Sequence, residues 1–433
     1  MREMKDSGNK WIGLIPKTWG VERIKTIFSE RSELSEDGSE TLLSVSEYYG
    51  VANRAEKVED GEYVSRAESL VGYKKCYKGD LVSNIMLAWK GSMGVTELDG
   101  IVSPAYCVYK PSKSVYPRYY HYLFRTSLYT SIFRLYSKGI IDSRLRLYSP
   151  YFFDIKAIIP SYAEQQRIAE FLDRKCAEVD EMIGLQEQII EELKAYKQSV
   201  ITEAVTKGLN LDAPMRDSGI EWIGQIPEHW ELKPLKFNFK RRSERNNPIV
   251  TTERLSLSID KGVTLYSEKT TNLDRFKEDF TQYQIAHPND IVLNCMNMIV
   301  GAVGLSKYLG CVSPVYYVIY PSNSKIDSEY YSYLLNTPTI RGVYYSYGKG
   351  IYAIERGEGR VNTCRLKVSY EDFGRFDIPI PPIEEQKDIV IYIKEKCADI
   401  DSLIQTKQSK IDSLKEYKKS IIYEYVTGKR EVE

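Results

Sequence analysis

Seven cysteines and three histidines are all that this 433-residue chain offers for thiol or metal chemistry, and no two cysteines form a CxxC pair. Neither a disulfide framework nor a zinc ribbon is expected, and a reducing, cytoplasmic setting suits this cysteine usage. His121 falls in a tyrosine-rich stretch and reads as a packed or surface histidine rather than a general base. Gly348-Lys349-Gly350 lacks the GxxxxGK[ST] frame of a phosphate loop, and Gly357-Glu358-Gly359 lies among charges as a loop. No Ser–His–Asp or Cys–His pairing has a local signature. The expected catalytic set and the expected metal-ligand set are therefore both empty.

Three tetrads, Ser103-Pro104-Ala105-Tyr106, Ser313-Pro314-Val315-Tyr316 and Ser149-Pro150-Tyr151-Phe152, imitate the (Asn/Asp/Ser)-Pro-Pro-(Tyr/Phe) tetrad of amino-methyltransferases. All three lack the second proline, and no strand–GxG–helix element accompanies them. What remains is binding chemistry. Among 35 tyrosines, basic residues recur beside aromatic ones, as in Tyr73-Lys74-Lys75 and Trp89-Lys90. Such pairs can contact nucleic acid by stacking and charge. Tyrosine also suits strands and cores, which explains most of these residues equally well. Two cationic clusters are more pointed: Lys138, Arg144 and Arg146 in a short turn-like segment, and Lys349, Arg356, Arg360 and Arg365 in a longer one.

The elements that carry these clusters repeat. Trp11-Ile12-Gly13-Leu14-Ile15-Pro16-Lys17-Thr18-Trp19 recurs as Trp222-Ile223-Gly224-Gln225-Ile226-Pro227-Glu228-His229-Trp230, with six of nine positions identical. Asp80, Asn84, Met86, Gly91 and Gly94 match Asp290, Asn294, Met296, Gly301 and Gly304, and Tyr119-Tyr120 matches Tyr330-Tyr331. Lys138-Gly139-Ile140 matches Lys349-Gly350-Ile351 at an offset of 211, whereas Pro160, Glu164 and Gln165 match Pro381, Glu385 and Gln386 at 221. The second copy thus carries about ten extra residues after Gly350, within its cationic cluster. Arginines where two copies differ most are what divergent base readout looks like, and a solvated basic loop is the alternative. Each copy is far longer than a solenoid repeat and is domain-sized.

Within each copy a mixed part precedes a long helix. Asp80 to Met86 reads as a short buried strand, Gly100 to Tyr109 as another ended by Pro111, and Pro117 to Tyr136 as one helix. The apolar path Ile168, Leu172, Val179, Met182, Ile189, Leu193, Tyr196, Val200, and its counterpart Ile389, Ile393, Ile400, Leu403, Leu414, Tyr417, Ile421, predicts a coiled-coil seam. Gln186 and Lys407 are its polar members. Pro160 and Pro382 start these helices and Gly208 and Gly428 stop them.

Apolar residues at 42% and charged residues at 28% exclude global disorder, and no apolar run of eighteen suggests a membrane span. The polar N-terminus lacks the apolar core of a signal peptide. Net charge is zero, but residues 163–206 carry −5 and residues 384–427 carry −1, which leaves +6 for the remainder. That surplus is compatible with phosphate binding.

In the SG..WIG.IP..W blocks at Ser7 and Ser218, and the IP(P/S)…EQ…I leads at Ile159–Ile168 and Ile380–Ile389, the chain resembles the specificity subunits of type I restriction–modification systems over essentially its whole length. Ser161-Tyr162, where the second copy has Pro382-Ile383, departs from the common helix entry. The resemblance implies an α+β fold with an internal pseudo-twofold: two mixed α/β target-recognition domains, 1–162 and 209–383, separated by a long antiparallel two-helix coiled coil, 163–208 and 384–433. It implies no catalysis in this chain. Each domain is expected to read half of a bipartite site on double-stranded DNA, with DNA contacts from Lys90, Lys138, Arg144, Arg146, Lys349, Arg356, Arg360 and Arg365. Two methyltransferase (modification) subunits carrying S-adenosylmethionine, and restriction (motor-nuclease) subunits using ATP and Mg, are the expected partners. A self-contained DNA adenine methyltransferase or nuclease, and a coiled-coil scaffold with no DNA role, are the competing readings.

Overall fold

The computed structural model describes residues 2–57, 69–269, 279–351, 354–356, 360–362 and 365–432. The chain forms two compact units, residues 1–187 with 408–433, and residues 188–407. In the first, strands β1 (Phe28–Arg31), β2 (Leu81–Asn84), β3 (Met93–Val95) and β4 (Tyr106–Pro111) form an antiparallel sheet in the order β1-β4-β2-β3. Register pairs Leu81 with Tyr109 and Val82 with Val108. Successive strand residues point to opposite faces. Leu81 and Tyr109 join the main aromatic core around Phe124 and Phe152, while Val82 and Val108 meet Leu43, Val45, Cys76 and Val102 on the other side. Both faces are covered, and this is why all four residues of β2 are buried without alternation.

Helices α1 (Pro117–Leu123) and α2 (Ser127–Tyr136) follow. The expected single helix breaks at Thr126, whose hydroxyl donates to the Leu123 carbonyl at 2.7 Å and caps α2 by accepting from Tyr129 N–H at 3.4 Å. The expected strand from Gly100 to Tyr109 is also two, Gly100–Val102 and β4, parted by a turn in which Tyr106 N–H donates to Ser103 O at 2.9 Å. The Ser149 tetrad begins a short helix, Ser149–Asp154, with Pro150 in its first turn. Next comes α3 (Tyr162–Lys207), most of which belongs to the first unit.

The second unit repeats the plan with β5 (Phe239–Arg241), β6 (Ile291–Asn294), β7 (Val303–Leu305) and β8 (Tyr316–Pro321) in the order β5-β8-β6-β7. Helices α4 (Ser328–Leu334) and α5 (Pro338–Tyr347) and the first part of α6 (Ile383–Val426) complete it. Within the first unit α3 and α6 run antiparallel: the Phe171 and Tyr425 rings pack at 4.4 Å with a 38° tilt, and Lys418 Nζ bonds both oxygens of Asp180 at 2.7 and 2.6 Å. Within the second unit Lys197 Nζ does the same to Asp401, at 2.7 Å twice.

The seam differs in register from the expected path. Leu172, Cys176, Val179, Ile183, Gln186, Ile190, Leu193, Lys197 and Val200 are all buried or half-buried and follow a strict alternation of four and three. Ile393, Cys397, Ile400, Ile404, Lys407, Ile411, Leu414, Lys418 and Ile421 repeat that path at an offset of 221. Met182 and Tyr196 are exposed at 49% and 58%, and so are Leu403 and Tyr417 at 50% and 51%. Gln186 and Lys407 do sit in the seam.

Each helix joins its globular part through one set of contacts. Trp19 Nε1–H donates to Glu164 at 2.8 Å and Trp230 Nε1–H to Glu385 at 3.1 Å. Gln165 accepts from Tyr116 N–H at 2.8 Å and donates to Pro160 O and Ser114 O, as Gln386 does with Asp327, Pro381 and Lys325. Tyr119 OH donates to Val426 O at 2.7 Å, so the first unit also holds the end of α6. Tyr330 OH donates to Val205 O at 2.7 Å and holds the end of α3 in the same way. Burial pushes both phenols well above their usual range, so each keeps the proton that it donates.

Candidate nucleic-acid interface

Lys90 ends the turn Ala88–Lys90, which Gly91 closes at φ +91°. Its ammonium lies 5.3 Å from the Trp89 ring, and the Arg134 guanidinium of α2 lies 5.1 Å from the same ring. Arg134 bonds both oxygens of Asp142, at 2.8 and 2.9 Å. Asp142 belongs to the loop that carries the first cationic cluster, so the Trp89–Arg134–Asp142 chain ties Lys90 to that loop. Reciprocal backbone bonds of 2.9 Å join Lys138 to Arg146, and Lys138 Nζ sits 4.7 Å from the Tyr151 ring. Arg144 is exposed, whereas Arg146 is half-buried and donates to Leu145 O at 2.9 Å. Arg134 carries no sign in the sequence of its place here, because only the fold brings it to Trp89.

A hairpin, Leu43–Ser46 with Gly50–Asn53, borders this surface. Ser92 Oγ, two residues after Lys90, donates to Val45 O at 3.2 Å. The hairpin tip carries Tyr48, exposed at 84%, which the sequence alone did not single out. Beneath it lies His121, buried as a packed histidine. Desolvation, with Arg125 and Arg118 adding to it, holds the ring well below its usual pKa and therefore neutral.

In the second unit the matching segment is a two-stranded ribbon. Lys349 pairs with Lys367 and Ile351 with Arg365, then Ile354 with Asn362 and Arg356 with Arg360. The extra residues of this copy extend the ribbon, and its Gly357-Glu358-Gly359 segment lies outside the described residues. Lys349 and Lys367 are exposed while Leu366 between the latter and Arg365 is buried, and Lys349 Nζ stands 3.8 Å from Asp372. Backbone register alone places Arg356, Arg360 and Arg365. A two-stranded ribbon has dimensions that a DNA major groove admits.

No family model matches the chain. It is 23% identical over 408 residues to the type I restriction enzyme StySPI specificity subunit of Salmonella potsdam, covering 90% of this chain and 84% of that one. It is also 23% identical over 340 residues to the putative type I restriction enzyme MjaX specificity subunit of Methanocaldococcus jannaschii, covering 75% and 71%. In sequence the chain is thus similar to type I restriction specificity subunits. Two solved structures share its fold. One, from work on complex assembly and conformational transition of the type I R-M system, gives a TM-score of 0.65 at 15% identity, covering 96% of this chain and 99% of that one. The HsdS subunit from Thermoanaerobacter tengcongensis gives 0.54 at 15%, covering 98% and 100%.

The motif residues and the candidate contact residues of this chain divide cleanly. Trp19, Glu164, Gln165 and their counterparts are joints, buried except for half-buried Glu385 and satisfied within each unit. Lys90, Lys138, Arg144 and Lys349 are exposed at loop and turn ends. Among the described residues no helix is long and apolar enough to cross a membrane.

Proposed function

We propose that the chain is the non-catalytic, DNA-reading subunit of a type I restriction–modification complex. The observation that carries this is the pairing of identical joints with unlike cationic tips in two copies of one fold. Two readers of one design, holding different side chains at the same place, suit a bipartite site of two different halves. Residues 1–162 and 209–383 are the recognition domains, and residues 163–208 and 384–433 are the helices that set their spacing.

Two modification subunits dock on the helices. Met182 and Tyr417 are exposed beside the Lys418–Asp180 pair in the first unit. Leu403 and Tyr196 are exposed beside the Lys197–Asp401 pair in the second. These are the same positions of the two copies, so the chain presents one apolar patch twice, and a single kind of partner can occupy both. Restriction subunits complete the assembly. S-adenosylmethionine, ATP and Mg are held by the partner chains.

The test is to co-express the chain with type I modification subunits and map methylated adenines on random-sequence DNA. A two-part motif with an unread spacer, from a complex of two modification subunits per chain by light scattering, is expected. Methylation without a motif would end the DNA-reading proposal, and a fully active one-to-one complex would end the docking proposal.

A further inference from the structure

The tip of the hairpin Leu43–Ser46 and Gly50–Asn53 is built with more care than a solvent loop needs. Register pairs Ser46 with Gly50 and leaves Glu47, Tyr48 and Tyr49 as the loop. Arg125, 77 residues away from Tyr48, donates through Nη2 to both Glu47 O and Tyr48 O, each at 2.8 Å. Its Nη1 lies 3.0 Å from Nε2 of buried His121, whose Nδ1 accepts from Val95 N–H at 3.2 Å. Tyr48 N–H donates to Ser46 Oγ at 3.1 Å, and Tyr49 OH pairs with Ser44 Oγ at 3.0 Å. Gly50 has φ +82°, and a β-carbon there would stand 2.8 Å from His121 Cε1, so only glycine fits.

Together these contacts hold the loop in place, and the group they present is the Tyr48 side chain, exposed at 84%. A pinned loop offering a tyrosine loses little further entropy when the ring finds a partner, because two torsions are all that remain. The hairpin also packs on β3, which follows the Lys90 turn: a β-carbon on Gly94 would stand 3.0 Å from Gly50 Cα. The second copy has the same hairpin, Ser258 paired with Gly262, yet its loop is Ile259-Asp260-Lys261. Asn336 and Ser332 occupy the positions of Arg125 and His121 there. The clamp and the aromatic tip occur together in one copy and are absent together from the other.

We infer that Tyr48 is a specificity-determining side chain of the first unit, contacting a base edge in the half-site which that unit reads, with Arg125 as its positioning residue. This rests on the DNA-reading function proposed above. The phenol brings an apolar ring edge and a hydroxyl that both donates and accepts, the combination that base edges in a groove offer partners for.

The experiment is Tyr48→Ala in the complex with modification subunits, read by mapping methylated adenines beside the wild-type complex. The expected result is a first half-site relaxed at one position, an unchanged second half-site, and about tenfold slower methylation of the cognate site, the size of one lost base contact. The melting temperature of the chain should not move, because the ring is outside the core. An unchanged motif at an unchanged rate would overturn the inference, and so would a uniform loss on all sequences, which marks a phosphate contact. A wild-type complex that shows no motif would overturn the DNA-reading function itself.

Discussion

Gln165 and Gln386 make the same three hydrogen bonds to corresponding partners, whereas Lys90 and Val300, at corresponding ends of the same turn, share only a backbone position. The first pair is fully buried, and replacing either glutamine would strand two carbonyls and one N–H away from water, at about 1–3 kcal/mol for each group left unpaired. The second pair projects from turns that glycines 91 and 301 close in the same way, so the fold has no preference between lysine and valine there. The lesson is one of constraint. Where the globular parts grip the helices, chemistry is dictated by hydrogen bonds that leave one solution. Where they face outward, only a ligand can choose the residue.

The strongest way to break this comparison is to exchange residues 209–383 for the corresponding part of a relative with a different target. One half of the methylated motif should change completely and the other should stay, since the joints do not depend on the tips. If both halves change, or neither, the copies are not independent readers. Lengthening the helices is the next largest effect. Four residues inserted at Gln186 and four at Lys407 add about 6 Å to each helix and turn it about 40° past a whole turn. The seam absorbs four residues as a stutter. At about 3.4 Å per base pair, the unread spacer should grow by roughly two base pairs with both half-sites kept. An active complex with the old spacer would show that something other than the helices sets the distance.

The glycines after the helices sharpen the comparison at a smaller scale. Gly208 and Gly428 have φ +77° and +71°, which costs any other L-residue roughly 1–2 kcal/mol. Their surroundings differ. A β-carbon on Gly428 would stand 2.4 Å from Pro16 Cγ and 2.9 Å from Trp19 Cη2, whereas one on Gly208 would meet movable Glu385 Oε1 at 2.9 Å and Trp230 Cζ2 at 3.2 Å. Gly428→Ala should therefore destabilise the chain by about 3 kcal/mol and Gly208→Ala by about 1–2, read from urea midpoints. Equal losses would show that backbone strain alone matters at both ends. The contact of Gly428 with Pro16 and Trp19 also places the last turn of α6 against the opening motif of the chain. A permutant opened between Gly208 and Ser218, with the old ends joined, should for this reason fold and keep its motif.

The duplication, both helices, their proline starts and glycine stops, and the likeness to specificity subunits were legible in the residues, because repeated motifs and heptads are local patterns. The seam register was not fully so. Two apolar stripes lie side by side on each helix, and a one-residue step turns a position by about 100°. Met182 and Ile183 are equally apolar, and only the facing helix decides that Ile183 is covered. The basic loops were legible as clusters, whereas Arg134 and Tyr48 were invisible, since their roles arise from contacts with Trp89 and Arg125 that no spacing encodes. The Glu164 and Gln165 block announced the family but not its work as a joint.

The smallest expected effect lies where the joints themselves differ. Glu164 is shared by Trp19 and Arg2, with only 11% of its side chain exposed, and the Arg2 side chain is 19% exposed. Glu385 is shared by Trp230 and His229, at 25% and 50% exposed for the carboxylate and the imidazole. The first joint thus uses a permanent cation in a nearly dry place and the second a histidine at the surface. Removing Arg2 leaves a carboxylate that has lost most of its water with the indole as its side-chain partner among the described residues, so Arg2→Ala should cost about 1–2 kcal/mol. Removing His229 returns Glu385 to solvent, and His229→Ala should cost less than about 1 kcal/mol. Thr18 stands at the position of His229, and it is exposed. If the two joints are alternative solutions to one problem, adding Thr18→His to Arg2→Ala should restore part of the lost stability, by denaturant midpoint at a pH where the imidazole is protonated. No recovery would mean that Arg2 acts through its packing over the Trp19 ring, 5.2 Å from the guanidinium, rather than through the carboxylate.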